Sequence, residues 1–133
     1  MGKLHQLGKS QKGQSLVELA IVLPLLLMLL LGIIEFGRVG HAYLTLNYAA
    51  REGARAGIAG ASDTAVLERI NQATASLSQE ELEISLTPSQ EERYSGDEFY
   101  VVLDYSLDIF MPVPEAVVTN PLSLQGKSIM RVE

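Results

Sequence analysis

The sequence predicts an α+β protein with a long N-terminal transmembrane helix, a short second helix and a small three-stranded antiparallel sheet. Three observations support this fold class. Residues 19–34 contain no charged residue and include eight leucines. Apolar residues then recur at helical spacing between Val66 and Leu77, and apolar and mostly polar residues alternate over 99–109. Such periods of 3.6 and 2 residues are typical of an amphipathic helix and of a strand with one buried face.

The apolar run has the length of a membrane span. As a helix, residues 19–34 cover about 24 Å and residues 16–37 about 33 Å, compared with a hydrocarbon core of ~30 Å. A buried core helix of a soluble protein is one alternative, but leucines on every face favour membrane insertion. A cleaved secretory signal is another. It is disfavoured because the run is long and no small-x-small site closely follows Ile34.

Charged residues are unevenly distributed along the chain. Lys3, Lys9 and Lys12 precede the first acidic residue, Glu18, whereas the chain from Arg38 onward has seven basic and fourteen acidic residues. This distribution predicts a single-pass protein of the cytoplasmic (inner) membrane, with a cytoplasmic N-terminus and an extracytoplasmic C-terminal domain. The acidic remainder argues against nucleic-acid binding. The absence of cysteine excludes disulfides and cysteine nucleophiles.

A proline, Pro24, lies inside the apolar run. Proline removes one backbone donor and clashes with the carbonyl four residues earlier, so we expect the helix to bend between Ala20 and Pro24. Membrane helices tolerate such a proline where local adjustment or neighbouring groups satisfy the freed carbonyl.

The stretch "KGQSLVELAIVLP" resembles the N-terminus of type IV prepilins and pseudopilins, in which a short basic leader ends at a glycine and a glutamate follows five residues later. The longer stretch "GQSLVELAIVLPLLLMLLLGIIEFGRVGHAYLTLNYAAREGARAG" is similar to the TadE-like pseudopilins of tight-adherence (Flp) pilus systems. The resemblance implies that a prepilin peptidase cuts between Gly13 and Gln14. It also implies that other pilin or pseudopilin subunits and the pilus assembly machinery are partners. Leu19 stands where major pilins tend to have tyrosine, which favours a minor component.

Glu18 is the residue of the apolar helix that most needs an explanation. Cleavage after Gly13 creates an α-amino group four residues before this carboxylate, and the amine of one subunit can neutralise Glu18 of its neighbour. The pair would act mainly as a register mark, since a shifted neighbour leaves a charge unpaired. The alternative is that Glu18 lies in the headgroup region without a specific role. With the resemblance, we favour the pairing role.

Beyond the span, the helix is predicted to continue to Ala59. Glu35 and Arg38 are three residues apart, which predicts an ion pair on one helix face, at the outer interface of the membrane that the helix spans. Mostly small residues then recur every three or four positions, which predicts a narrow stripe that packs closely on the outer domain. The stripe comprises Val39, Ala42, Tyr43, Leu46, Ala50, Gly53, Ala54 and Gly57.

The remaining elements follow from shorter patterns. Ser62 or Asp63 is the expected N-cap of the second helix. Residues 82–86 and 99–109 alternate as strands, separated by the polar loop "PSQEERYSGD". The final segment "LSLQGKSIMRVE" predicts a third strand, interrupted near Gly126.

Residues for catalysis or metal binding are not apparent in the sequence. His5 and His41 are the only histidines, and they form no triad or metal-ligand pattern. Acidic residues are better explained as solvated faces than as calcium ligands, because their spacing matches no calcium loop. These residues are Glu80, Glu81, Glu83, Asp104 and Asp108. We therefore expect no enzyme activity, no metal, no cofactor and no small-molecule substrate.

Together these patterns predict three parts of the chain: a leader at 1–13 that is removed, a transmembrane helix at 14–37, and a stem helix with a small α+β head at 38–133. The predicted function is that of a processed pseudopilin or minor pilin-like subunit in the assembly of a tight-adherence pilus and in surface attachment. The alternative is an uncut single-pass protein whose outer domain is a scaffold or adaptor in an envelope complex.

Overall fold

The structure is a computed structural model that describes residues 4–133, with side chains from residue 11 onward. It contains helix α1 (Leu4–Ile58), helix α2 (Asp63–Ala73) and strands β1 (Leu82–Thr87), β2 (Glu98–Leu107) and β3 (Leu122–Arg131). The predicted α+β fold class is confirmed. Lys3, His5 and Lys9 lie outside the described side chains. The chain divides into two compact units, with the boundary between Phe36 and Gly37.

Helix α1 changes character along its length. From residue 11 to residue 31, every side chain is exposed, including all the leucines of the apolar run. In the second unit, Gly37–Glu133, which we call the outer unit, α1 instead contributes a stripe of buried residues to a core. The buried apolar members of this stripe are Ala42, Leu46, Ala49, Ala50 and Ala54.

The stripe is largely as predicted, with one error. Tyr43 was expected in it, but its side chain is 51% exposed, whereas Ala49 is fully buried. At 100° per residue, Tyr43 lies at the margin of the stripe, and only a small residue such as Ala54 is buried at that margin. The core-facing side of α1 is therefore made mostly of alanine and glycine.

The three strands form an antiparallel sheet in the order β1-β2-β3. Burial alternates strictly along β2, so that Phe99, Val101 and Leu103 face the core. In register with Leu103 are Ile84 on β1 and Gly126 on β3. One face of the sheet therefore packs on the helices, and the other face is open to solvent.

Helix α2 covers part of the same core with Val66 and Ile70. Its N-cap is Ser62, whose hydroxyl accepts a hydrogen bond from the Ala65 amide at 3.3 Å, as one of the two predicted caps. At the other end, the buried Thr74 hydroxyl donates to the Ile70 carbonyl at 2.8 Å.

Two predicted strand features are wrong. β2 ends at Leu107 rather than Ile109, because both backbone groups of Ile109 bond to the side chain of Asn120 instead of to a neighbouring strand. β3 is not interrupted near Gly126 but runs continuously through it. Gly126 is buried, and a Cβ there would lie 2.5 Å from the carbonyl carbon of Leu46. The glycine thus serves a close approach between α1 and β3.

Arg93 is a buried charge that the sequence did not reveal. Its side chain is only 5% exposed and pairs with Asp63 at 2.5 Å. The guanidinium also lies 3.9 Å from the Phe99 ring centroid and donates to the carbonyl of Gly57, in the last turn of α1, and to that of Ala61, just after the helix. Arg93 therefore joins the end of α1 to the start of α2.

We predict that Gly126→Ala destabilises the outer unit by about 2–3 kcal/mol, because the added methyl group meets backbone atoms that cannot rotate away. Gly40→Ala is the matched control. Its Cβ has nothing within 4 Å, and helix propensity alone predicts a gain of up to ~1 kcal/mol. Thermal unfolding of the detergent-solubilised chain, followed by near-ultraviolet circular dichroism, measures both. Equal melting temperatures for Gly126→Ala and the wild type would contradict the close approach.

We further predict that Arg93→Ala costs about 3 kcal/mol, because it removes the buried cation that pairs with Asp63 and donates to the carbonyls of Gly57 and Ala61. Arg69→Ala is the control. Arg69 is exposed and lies 4.0 Å from Glu52, so its removal is expected to change stability by no more than ~0.5 kcal/mol. Chemical unfolding of both variants measures the difference, and similar losses would show that Arg93 contributes no more than a surface charge.

Candidate functional site

The predicted processing site lies in one exposed stretch of α1. Gly13, Gln14 and Glu18 are all exposed and helical. A Cβ at Gly13 would have no atom within 4 Å, so the chain itself does not cover this position. The Ser15 hydroxyl donates to the Gln11 carbonyl at 3.0 Å, one helical turn earlier. The bond between Gly13 and Gln14 is therefore in helical backbone that is open to an external partner.

Glu18 follows Gln14 by four residues, which is a rise of about 6 Å along a helix. Its side chain is exposed and belongs to the same helical stretch as the apolar run. Exposure on an apolar helix leaves this carboxylate available to groups outside the chain. The pairing of Glu18 with the α-amino group of a neighbouring subunit stays a prediction.

Within residues 11–133, α1 is the one helix that is long and apolar enough to cross a membrane. Its most apolar 18-residue window has a mean hydropathy of 2.8, and none of that window is buried. Leu25 and Leu29 are each 63% exposed. Lipid is the solvent that suits such a surface, so the helix supports a single-pass membrane protein.

Helical backbone continues through Pro24 without interruption. Pro24 lies inside α1, where its ring leaves one carbonyl of the helix without its usual donor. The bend expected between Ala20 and Pro24 stays a prediction.

Glu35 and Arg38 lie on either side of the boundary between the two units. Glu35 is buried. In the outer unit, the Arg38 guanidinium donates to the Asp108 carbonyl at 3.4 Å and lies 4.4 Å from the centroid of the Phe110 ring. The predicted ion pair between Glu35 and Arg38 stays a prediction, while the contacts of Arg38 with the segment after β2 were not foreseen.

Several polar residues of the outer unit contact one another. His41 lies 3.1 Å from the Ser76 hydroxyl, and Asp104 accepts from Gln125 at 2.8 Å. The Tyr100 hydroxyl donates to the Glu98 carboxylate, and this hydrogen bond raises the pKa of Tyr100. Across residues 11–133, no group of three or more histidine and acidic side chains is arranged to hold a metal ion.

Comparison with protein families identifies the helical segment. Residues 13–55 match the family model described as TadE-like protein. The match begins at Gly13, covers about a third of the chain, and ends in the outer part of α1. No curated protein and no solved structure matches the chain. The predicted resemblance is confirmed for this segment: residues 13–55 are similar to the TadE-like family.

Proposed function

We propose that the protein is a pseudopilin or minor pilin-like subunit that acts in the assembly of a tight-adherence pilus and in surface attachment. In this proposal, residues 1–13 are a leader that a prepilin peptidase removes, residues 14–37 span the inner membrane, and residues 38–133 form the extracytoplasmic stem and head. The TadE-like match and the single exposed apolar helix support it. Its function is structural: subunits associate through the helix, and the outer unit meets the rest of the machinery.

The position of Gly13 supports cleavage at this point. The family match begins at Gly13, and the chain leaves this position open. Glycine weakens a helix by about 1 kcal/mol relative to alanine, so the helix is easiest to unwind locally there. A peptidase that needs an extended substrate thus meets a low local cost at the bond it cuts. The lysines of the leader orient the chain on insertion and are then removed.

The observation that carries the proposal is the exposed carboxylate of Glu18 one turn after the new N-terminus. After cleavage, Gln14 is the first residue of α1, and a carboxylate near a helix N-terminus is favoured by the helix dipole. In lipid, a lone carboxylate is costly, and the α-amino group of an adjacent subunit offsets that cost. Pairing of the two charges would set the register between neighbouring subunits.

We predict that Gly13→Ala leaves the protein at its precursor mass, because it removes the glycine at the cut and strengthens the helix around it. Intact-mass measurement of membrane-extracted protein, from a host that has the peptidase, tests this. Gly37→Ala is the control, since its Cβ would also have nothing within 4 Å and it lies away from the cut. A wild-type chain that is never shortened, yet supports pilus formation, would favour the uncut scaffold instead.

We predict that Glu18→Gln reduces association between mature subunits at least tenfold, about 1.4 kcal/mol, because it removes the charge that neutralises the amine. Crosslinking yield between membrane-embedded subunits measures this loss, and Glu83→Gln, an exposed position on β1, is the control. In the Gly13→Ala background, which retains no free amine at Gln14, Glu18→Gln should have little further effect. Equal losses in both backgrounds would refute the charge pair.

A further inference from the structure

The connection between β2 and β3, residues 108–121, presents apolar side chains to solvent. We refer to it as the apolar loop. Phe110 is 78% exposed and Val117 is 72% exposed. After Asp108, the loop contains one charged residue, Glu115. Exposed apolar side chains that share one short loop are candidates for contact with another apolar phase.

The conformation of the apolar loop is fixed by its own hydrogen bonds. The Asn120 side chain accepts from the Ile109 amide at 3.1 Å and donates to the Ile109 carbonyl at 3.2 Å, which closes the loop at its base. Within the loop, the amide of Val113 donates to the Met111 carbonyl and that of Val117 to the Pro114 carbonyl, each at 2.8 Å. These bonds lower the cost of removing the loop backbone from water.

The contacts of Arg38 show that the apolar loop lies close to the start of the outer unit. Arg38 donates to the Asp108 carbonyl and lies against the ring of Phe110. It is also the fourth residue after Ile34, the last residue of the uncharged run, which is a helical rise of about 6 Å. An arginine at that position belongs to the lipid headgroup region. The apolar loop therefore lies at the membrane-proximal end of the outer unit.

We propose that the apolar loop inserts into the outer boundary between headgroups and acyl chains, with Phe110 and Val117 in contact with lipid. Aromatic side chains favour this layer, and Glu115 limits the depth because its carboxylate stays in the hydrated region. We name lipid, and not another protein, as the partner of the loop. The loop contacts the first arginine after the span, so it lies beside the bilayer in every copy of the chain. The proposal goes beyond the pilus role and depends only on the span.

Single-cysteine labelling tests this directly, since the chain has no cysteine of its own. An environment-sensitive fluorophore is placed at Val117→Cys or, as control, at Tyr94→Cys in the full chain, with one copy per lipid nanodisc. Tyr94 is 68% exposed and precedes β2, whose ten residues separate it from the loop by about 30 Å. Quenching by brominated lipids and by a water-soluble quencher is then measured at both positions.

We expect brominated lipids to quench the label at residue 117 and not at residue 94, with a blue shift of emission at 117 only. Phe110→Ser should reduce lipid quenching at 117, since Phe110 lies in the same loop and is exposed, so that its removal leaves the fold intact. Equal lipid quenching at both positions would overturn the proposal. The proposal would also be overturned if the label at residue 117 were protected from the water-soluble quencher only in densely loaded vesicles. The loop would then be covered by a second copy of the chain and not by lipid.

Discussion

The outer unit depends on the close packing of α1 against its sheet. Five of the twelve buried apolar residues of the core come from α1, and four of those five are alanines. At Leu46, the helix backbone is so near Gly126 that no side chain fits between them. The sheet contributes the large side chains, such as Phe99 and Leu103, which fill the remaining space. The outer unit therefore has no complete core without the helix that continues from the apolar run.

Because the chain has no cysteine, no disulfide stabilises this small unit, and polar contacts hold its segments together instead. Arg93 lies at the C-terminal end of α1, and its partner Asp63 lies in the first turn of α2. Each charge is thus at the helix end where the dipole favours it, which adds to their direct attraction. Buried charges need such additional partners to offset the loss of water. The side chain of Asn120 has a corresponding role at the other end of the sheet, where it joins the two ends of the apolar loop.

The sequence predicted the elements whose pattern is local. The alternation along β2 and the helical spacing of α2 indicate which of their residues are buried, and the apolar run indicates a membrane span. The structure has a strand, a helix and an exposed apolar helix at these positions. Contacts between distant residues were missed. Gly126 was predicted to interrupt the third strand, because the neighbouring sequence gives no other reason for a glycine there. The reason is a distant residue, Leu46, whose backbone packs directly against Gly126. Arg93 lies in a polar loop, where an arginine is normally exposed, and nothing nearby in sequence signals Asp63 or Phe99.

The candidate site, too, was only partly predictable from the sequence. The spacing of Gly13, Gln14 and Glu18 is visible in the sequence, and the structure adds that these residues are helical and exposed. The charge pair itself requires a second subunit, so its geometry is a property of the assembly and not of one chain. The apolar loop was missed for a different reason: its three prolines marked only a break between strands, and the contact with Arg38 joins residues 70 positions apart.

Electrostatics make an apolar membrane contact the reasonable choice for this chain. From Arg38 onward, acidic residues outnumber basic ones by two to one, so an anionic lipid surface repels the outer unit within a Debye length of about 8 Å. Attraction between charges therefore does not favour a contact between the outer unit and the bilayer. The span makes insertion of the apolar loop an intramolecular step, which needs far less binding energy than recruitment of a free domain from solution. In the proposed contact, two well-exposed apolar side chains, too few to recruit a free domain, would be enough to hold a tethered one.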